Sequence, residues 1–273
     1  MPHQLTLLKL GGSLITKKTE VSTVNTPLLQ SACEQIAKAV KDFPDLKLIV
    51  GHGSGSFAHQ AGAKYETIKG LAPGSDTVDR QYFWHGFFEV YKQAHLLNEV
   101  VVKVLKQAGV PAINFPPAAL VVTSNRVIVK WDTENIEMAL ENGFVPIIFG
   151  DVIFDHSMGG TILSTEDLFE YLTDQLNPTR ILLAGIEEGV WSDYPANQKL
   201  IEVINHQTYP QVHTVLGGSN ATDVTGGMNS KVNQMLKLTS RHPDLDVRIF
   251  SGVSSHNIYK AIAGIPLGTL IKS

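Results

Sequence analysis

The chain has 273 residues, 43% of them hydrophobic and 18% charged, with 22 Lys and Arg against 26 Asp and Glu for a formal net charge of −4. These values suit a water-soluble globular protein with a sizeable core, and they exclude the basic stripe of a nucleic-acid binder and the ~20-residue apolar run of a membrane helix. A single cysteine, Cys33, excludes an internal disulfide framework and a cysteine-based metal site; with an apolar N-terminal stretch too short for a signal segment, this predicts a cytoplasmic protein.

Short apolar runs, each closing on glycine or a polar turn, predict buried strands at 5–10, 46–50, 112–115, 145–150, 180–185 and 247–252. Helical patterns fill the gaps. The first, 26–43, starts on Thr26 as N-cap with Pro27 at the first helical position. A long one covers 79–109, with a break expected near Gly86, and others cover 132–143, 165–176 and 226–241. Two segments depart from this alternation and predict β-hairpins, 121–130 turning at Ser124-Asn125 and 151–164 turning around Met158-Gly159-Gly160. Strands alternating with helices predict an α/β three-layer sandwich, a central and mostly parallel sheet flanked by helices. A lobe boundary is expected near 165, dividing the chain into 1–165 and 166–273 over one continuous sheet.

Four stretches carry the chemistry. In LLKLGGSLITKK (7–18), Lys9 interrupts an apolar strand that runs into Gly11, Gly12 and Ser13, with Lys17 and Lys18 following. Such a lysine either snorkels at the sheet margin or points into a polar site. In IVGHGSGSFAH (49–59), Gly51, Gly53, Ser54 and Gly55 precede His59 where a helix can begin. Bare main-chain N–H groups at such a place bind anions, although a capped surface loop explains the same residues. Thr225-Gly226-Gly227 followed by Lys231 repeats the arrangement, and an ordinary helix start with a solvated lysine fits it equally. Gly150 and Asp151 end a buried strand, and Asp167 opens a helix, where a carboxylate is most simply a cap. Taken together, two glycine-rich loops and three separated lysines describe a site for a polyphosphate and a second anion facing it, as phosphoryl transfer requires.

At this point the sequence resembles the amino acid kinase family over essentially its whole length. KLGGS, the glycine loop after the second strand, GD after the mid-chain strand and DVTGGMNSK occur in that family's order. The loop ending GSGSFAH, closing on His59, resembles the isopentenyl phosphate kinase subgroup and the related fosfomycin kinase. The resemblance implies transfer of phosphate from ATP to isopentenyl phosphate, with Mg²⁺ bridging phosphates and no protein-held metal, in a homodimer. It implies that Lys9 bridges the phosphates and that Lys18 stabilises the transition state. Gly11, Gly12, Ser13, Gly55, Gly227 and Lys231 would meet the nucleotide; Ser54, His59 and Gly150 would meet the acceptor; Asp167 would orient the lysines. For the prenyl tail, Phe83, Phe87 and Val90 on the aromatic helix after His59 would form one wall and Ile153 another, although ordinary core packing explains those residues too. Two other readings stay open, a phosphonate kinase with a shallow polar acceptor slot and a non-catalytic nucleotide- or anion-binding protein. Two departures from the family pattern bear on specificity. Gly185-Ile186-Glu187-Glu188-Gly189-Val190 replaces T-D-V-D-G-V beside the base, which leaves ATP against GTP open, and Ser54 puts a hydroxyl where bare backbone is usual.

Overall fold

The computed structural model describes residues 5–216 and 227–273. Its elements follow in chain order, beginning with β1 (Leu5–Leu10), α1 (Gly12–Ile15), α2 (Thr26–Asp42), β2 (Lys47–His52) and α3 (Gly55–Lys64). A 3₁₀ turn (Thr67–Lys69) leads to α4 (Thr77–Gln107), β3 (Ala112–Asn114), α5 (Pro117–Leu120), β4 (Val122–Ser124), β5 (Val127–Lys130) and α6 (Glu134–Glu141). Next come β6 (Val145–Phe149), β7 (Asp151–Asp155), β8 (Gly159–Leu163), α7 (Thr165–Leu176) and β9 (Arg180–Gly185). The C-terminal part holds β10 (Val190–Trp191), β11 (Leu200–Ile201), β12 (Val203–Ile204), α8 (Tyr209–Leu216), α9 (Gly227–Arg241), β13 (Asp246–Ser251), α10 (Asn257–Ile262) and β14 (Thr269–Ile271).

Eight strands form one sheet in the order β12-β14-β13-β9-β1-β2-β6-β3. Every pairing is parallel except β13 with β14. This is the expected three-layer α/β architecture, and a single sheet runs through both halves of the chain. Alternation along β1 divides the two core faces. Leu5 and Leu7 pack with α7 and α9 residues such as Leu168, Phe169, Val232 and Met235. Leu8 and Leu10 pack on the other face with α2 and α4 residues such as Ile36, Leu97 and Val101. By the same period of two, Lys9 falls on the α7 and α9 face. The chain turns from β1 to β2 on one side and reaches β9 on the other, so β1 sits beside the topological switch point. In an open parallel sheet, that is where the loops at the strands' carboxyl ends leave a crevice.

Several boundaries differ from the sequence expectations. The α2 N-cap is Asn25, placing Thr26 and Pro27 inside the first turn. Helix α4 runs unbroken for 31 residues from Asp76, whose carboxylate accepts from the Asp79 N–H. Gly86 does not break it; a Cβ there would stand 2.3 Å from Tyr65 Cβ, so glycine is required for close packing of α3's end on α4. The first hairpin turns one residue later than expected, at Asn125 (φ 50°) and Arg126 (φ 66°), the double left-handed geometry that matches strand twist. In the second, Asp155 pairs with Gly159, so His156-Ser157-Met158 form the loop and the two glycines begin β8. The two hairpins join through parallel β4 and β7 into a four-stranded sheet, β5-β4-β7-β8. Its register is pinned by Asp155, whose carboxylate accepts from Thr123 Oγ1 and the N–H groups of Asn125, Arg126, Ser157 and Met158. Strands β10, β11, β12 and β14 and helix α8 are too short for a periodic signal and were not expected. The expected Thr225-Gly226 portion of the third loop lies outside the described residues.

Candidate active site

One cleft of about 720 Å³ lies along the carboxyl edge of β1, β2 and β9. Lys9, Gly11, Gly12, Ser13, Lys18, Ser54, Gly55, His59, Gly150, Gly227 and Lys231 all line it. Residues separated by more than two hundred positions therefore meet in one place, because parallel strands deliver all their following loops to the same edge.

The glycines are needed first for packing of loop on loop. A Cβ on Gly12 would stand 2.4 Å from the Gly55 nitrogen, and one on Gly53 would stand 2.9 Å from the Gly12 nitrogen. Gly55 has φ +49°, and a Cβ there would collide with Thr16 Oγ1 at 2.1 Å. The two glycine-rich loops are thus in backbone contact, which brings the N-termini of α1 and α3 side by side. The first N–H groups of a helix have no intrahelical acceptor; Gly11 N donates to Ala184 O and Ser56 N to Thr16 Oγ1, while Gly12, Ser13 and Gly55 line the cleft.

The cationic end is built around Glu166. Lys9 Nζ donates to Glu166 Oε2, and Lys231 Nζ lies 3.8 Å from Glu166 Oε1. Burial opposes ionisation of Glu166, but the Lys9 and Lys231 charges outweigh it and hold the carboxyl down at about 2. Burial dominates for Lys9 and lowers its pKa, with Glu166 opposing that shift and Lys231 adding to it. One carboxylate thus spaces two ammonium groups and keeps them pointed into the cleft.

Asp167, the carboxylate expected to orient the lysines, does something else. Ser164 N donates to Asp167 Oδ2 at 2.8 Å and Asp167 N donates to Ser164 Oγ at 3.1 Å, a complete capping box at the start of α7. Its other oxygen accepts from Gln234 Nε2 at 3.1 Å. Successive helical residues point about 100° apart, so with Asp167 at the cap, Glu166 is the one that faces β1. The Ser164-x-x-Asp167 spacing is itself a capping-box signature, and reading it that way would have left Glu166 for the lysines.

The acceptor wall also needs correction. Val90 lines the cleft, together with Ala58, Gly62, Ile68 and Ile162. Phe83 and Phe87 do not; they are buried in a side cluster with Trp84, Phe149 and Val152. Phe87 packs against Gly160, where a Cβ would stand 2.7 Å from its ring. Ile153 is fully buried in the main core. Phe83 and Phe87 are a structural layer beside the cleft, while Tyr82, Phe88 and Tyr91 of the same aromatic run are exposed. Ile68 and Ile162 had no sequence signal, since one sits on a 3₁₀ turn and the other on a hairpin strand. Arg126 joins those two segments by donating to Ile68 O and Ile162 O.

Lys18 is exposed on the loop after α1, and Lys17 pairs with Glu20 at 3.1 Å in solvent. Ser54 Oγ donates to Gly150 O at 3.1 Å, tying the glycine loop to the end of β6. Asp151 turns away from the cleft: it is fully buried, accepting from Ala118 N and lying 3.0 Å from His95 Nε2. At the opposite end of the cleft, Ile186, Glu187, Trp191 and Tyr194 form a wall, with Trp191 Nε1 donating to Glu187 Oε2 at 3.1 Å.

A sequence model of the amino acid kinase family matches residues 4–251. The isopentenyl phosphate kinase of Methanocaldococcus jannaschii is 31% identical over 98% of each chain. That of Arabidopsis thaliana is 25% identical over 97% of this chain and 95% of its own. Among solved structures, an isopentenyl phosphate kinase superposes with a TM-score of 0.82 at 26% identity, covering 98% of this chain and all of that one. The chain belongs to the amino acid kinase family.

Proposed function

We propose that the protein transfers the γ-phosphoryl group of ATP to isopentenyl phosphate, giving ADP and isopentenyl diphosphate. The observation that carries this reading is the shape of the cleft: an amide- and lysine-lined middle continues past His59 into an apolar niche of Ala58, Gly62, Ile68, Val90 and Ile162. A prenyl tail needs such a niche, and the small polar phosphonate of the rival kinase does not. The Methanocaldococcus and Arabidopsis relatives carry the same activity in their names.

In the reaction, an oxygen of the acceptor phosphate forms a bond to the γ-phosphorus as the bond to the β-phosphate oxygen breaks, and ADP leaves with that electron pair. Little covalent work falls to the protein; it must align two anions and meet the charge that moves between them. Lys9 and Lys231, spaced by Glu166, screen the polyphosphate. Gly12, Ser13 and Gly55 offer main-chain donors from the two helix starts, while Gly11, its own N–H donated to Ala184 O, lets the loop lie close to the phosphates. Lys18, on its long exposed stem, closes on the transferring group. His59, beside Ala58 and one turn before Gly62 on α3, holds the acceptor phosphate where the polar and apolar parts of the cleft meet. Gly227 opens α9 behind the nucleotide. The niche residues all precede 165, while Ile186, Trp191, Tyr194, Gly227 and Lys231 all follow it, which supports an acceptor half (1–165) and a nucleotide half (166–273) across the shared sheet. Glu166, the cleft carboxylate beside Lys9 and Lys231, is spent on those lysines, so the donor set suits a Mg²⁺ ion held by phosphates and water, where it would neutralise charge between them.

The test is ATP turnover with isopentenyl phosphate, fosfomycin or acetylglutamate as acceptor, with the phosphorylated product identified by mass. Turnover with isopentenyl phosphate alone is expected, and His59→Gln should lose it while still binding ATP. Turnover with fosfomycin in its place would select the phosphonate reading, and silence with every acceptor the binding-protein reading.

A further inference from the structure

Glycine lets a loop approach a phosphate but gives it no conformational preference, so a glycine loop is pre-organised only if something outside holds its peptides. In this chain the loop at 53–55 is held from behind by a residue that does not touch the cleft. His52 ends β2 with its side chain fully buried. Its ring lies parallel to Phe149, at 5.3 Å and 5°. Nδ1 is 3.2 Å from Gly53 O, and Nε2 is 3.2 Å from Asn98 Oδ1, on a residue itself 2% exposed on α4. Burial pushes the imidazole down to about 4, so the ring is neutral at working pH and carries one N–H. Gly53 O and Asn98 Oδ1 both accept, but a main-chain carbonyl can do nothing else whereas an amide can rotate to present its NH₂, so the hydrogen is assigned to Nδ1. Nε2 is then an acceptor, and Asn98 satisfies it with its amide NH₂, which a half-turn of the amide group presents.

We infer that His52 and Asn98 are a positioning pair for phosphoryl transfer, fixing the Gly53–Ser54 peptide with its N–H turned into the cleft. In a trans peptide the C=O and the following N–H point in opposite directions. With Gly53 O drawn back onto the buried ring, the Ser54 N–H faces the other way, and Gly53 and Ser54 line the cleft while His52 and Asn98 do not. The rest of the loop is anchored too: Gly53 N donates to Leu10 O at 3.0 Å and Ser54 Oγ to Gly150 O. Without the ring, this one peptide is free to rotate and turn a carbonyl dipole toward the phosphates. Asn98 acts one step further back, fixing the tautomer that makes Nδ1 the donor.

This inference rests on the kinase reading, and its test separates the two. His52→Phe keeps the ring and its stacking but removes both hydrogen bonds; His52→Asn keeps a donor close to the Nδ1 position. The loss of one pre-organised donor costs roughly 10²–10³ in kcat, so His52→Phe is expected to lower kcat at least about 30-fold with the ATP KM within about threefold, and His52→Asn to recover most of the loss. Asn98→Leu should lower kcat by less, and combined with His52→Phe it should add nothing further. Equal losses in both His52 variants, or additive losses in the double variant, would overturn the pair. Independently of turnover, ¹⁵N NMR of the wild-type protein is expected to show His52 as the Nδ1–H tautomer and the Ser54 amide shifting on titration with pyrophosphate. An Nε2–H or cationic ring, or a silent Ser54 amide, would also overturn it. If the wild type fails to phosphorylate isopentenyl phosphate while both NMR results hold, the kinase reading falls and the positioning pair stands as part of an anion site.

Discussion

Replacing Glu166 by glutamine removes one negative charge from between two lysines and leaves the shape of the side chain alone. Glu166 is 7% exposed and Lys9 12%, whereas Lys231 is 33% exposed. At an effective dielectric of about 20, unit charges 3.8 Å apart attract by about 4 kcal/mol, a ceiling that solvent around Lys231 reduces. The more buried Lys9 pair dominates, and removing one partner of a buried pair costs about 3–5 kcal/mol. For a chain of this size that corresponds to a melting point lowered by roughly 5–9 °C. ATP should restore part of it, because its phosphates supply the missing negative charge. Glu166→Gln is therefore expected to melt well below wild type without nucleotide and to gain more from ATP than wild type does. The acid limb changes as well. Glu166 has its carboxyl held at about 2 against an ordinary 4.5, so its contribution is fully present above 4.5 and is lost as the pH falls through 2. The variant should lack that part of the acid destabilisation. Thermal melts from pH 2 to 7, with and without ATP, check all three. A variant melting within about 2 °C of wild type, with an unchanged ATP shift, would show that Glu166 does not organise the lysines. Asp167→Asn is the control: it weakens a cap, worth about 1 kcal/mol, and should leave the ATP response as it was.

Phe87→Ala should cost about 3–5 kcal/mol as a core cavity without changing acceptor chain length, while Ile162→Ala should admit a longer prenyl phosphate; competition between isopentenyl and geranyl phosphate reads both, and a length change from Phe87→Ala alone would return that ring to the wall. Gly12→Ala forces a Cβ against the Gly55 nitrogen, so it should abolish turnover and lower the melting point, and a wild-type melt would mean that the two loops are not in contact. Asp155 is held at about 2 against an ordinary 3.8, with its five hydrogen bonds overcoming the effect of burial; its contribution is present above 3.8 and fades as the pH falls through 2. Asp155→Ala should thus destabilise at neutral pH, on the order of 3 kcal/mol for several charge-assisted bonds, and should narrow its deficit in acid. A pH-independent deficit would assign the loss to packing.

The order of the fold was written in local signals. Apolar runs of strand length, stops at Gly143 and Gly109, and the capping signal at Ser164 are near-neighbour effects, and they were sufficient to place six strands and the major helices within a residue or two. The parallel sheet followed from their alternation, and a parallel sheet sends every loop to one edge, so the convergence of Lys9, Gly55, His59 and Lys231 was legible in the sequence. What lay beyond the sequence was direction in space. Glu166 and Asp167 are adjacent and chemically alike; only the packing of α7 on the Leu5–Leu7 face decides which carboxylate meets Lys9 and which closes the cap. Phe87 and Val90 share one apolar helix stripe, yet the hairpin strand carrying Gly160 packs on the Phe87 ring while Val90, also buried, reaches the cleft wall. The glycines illustrate the same division. Their number fitted an anion cradle and an ordinary loop alike, but that Gly12, Gly53 and Gly55 are needed because two loops touch backbone to backbone is a fact of tertiary contact, and no spacing along the chain contains it.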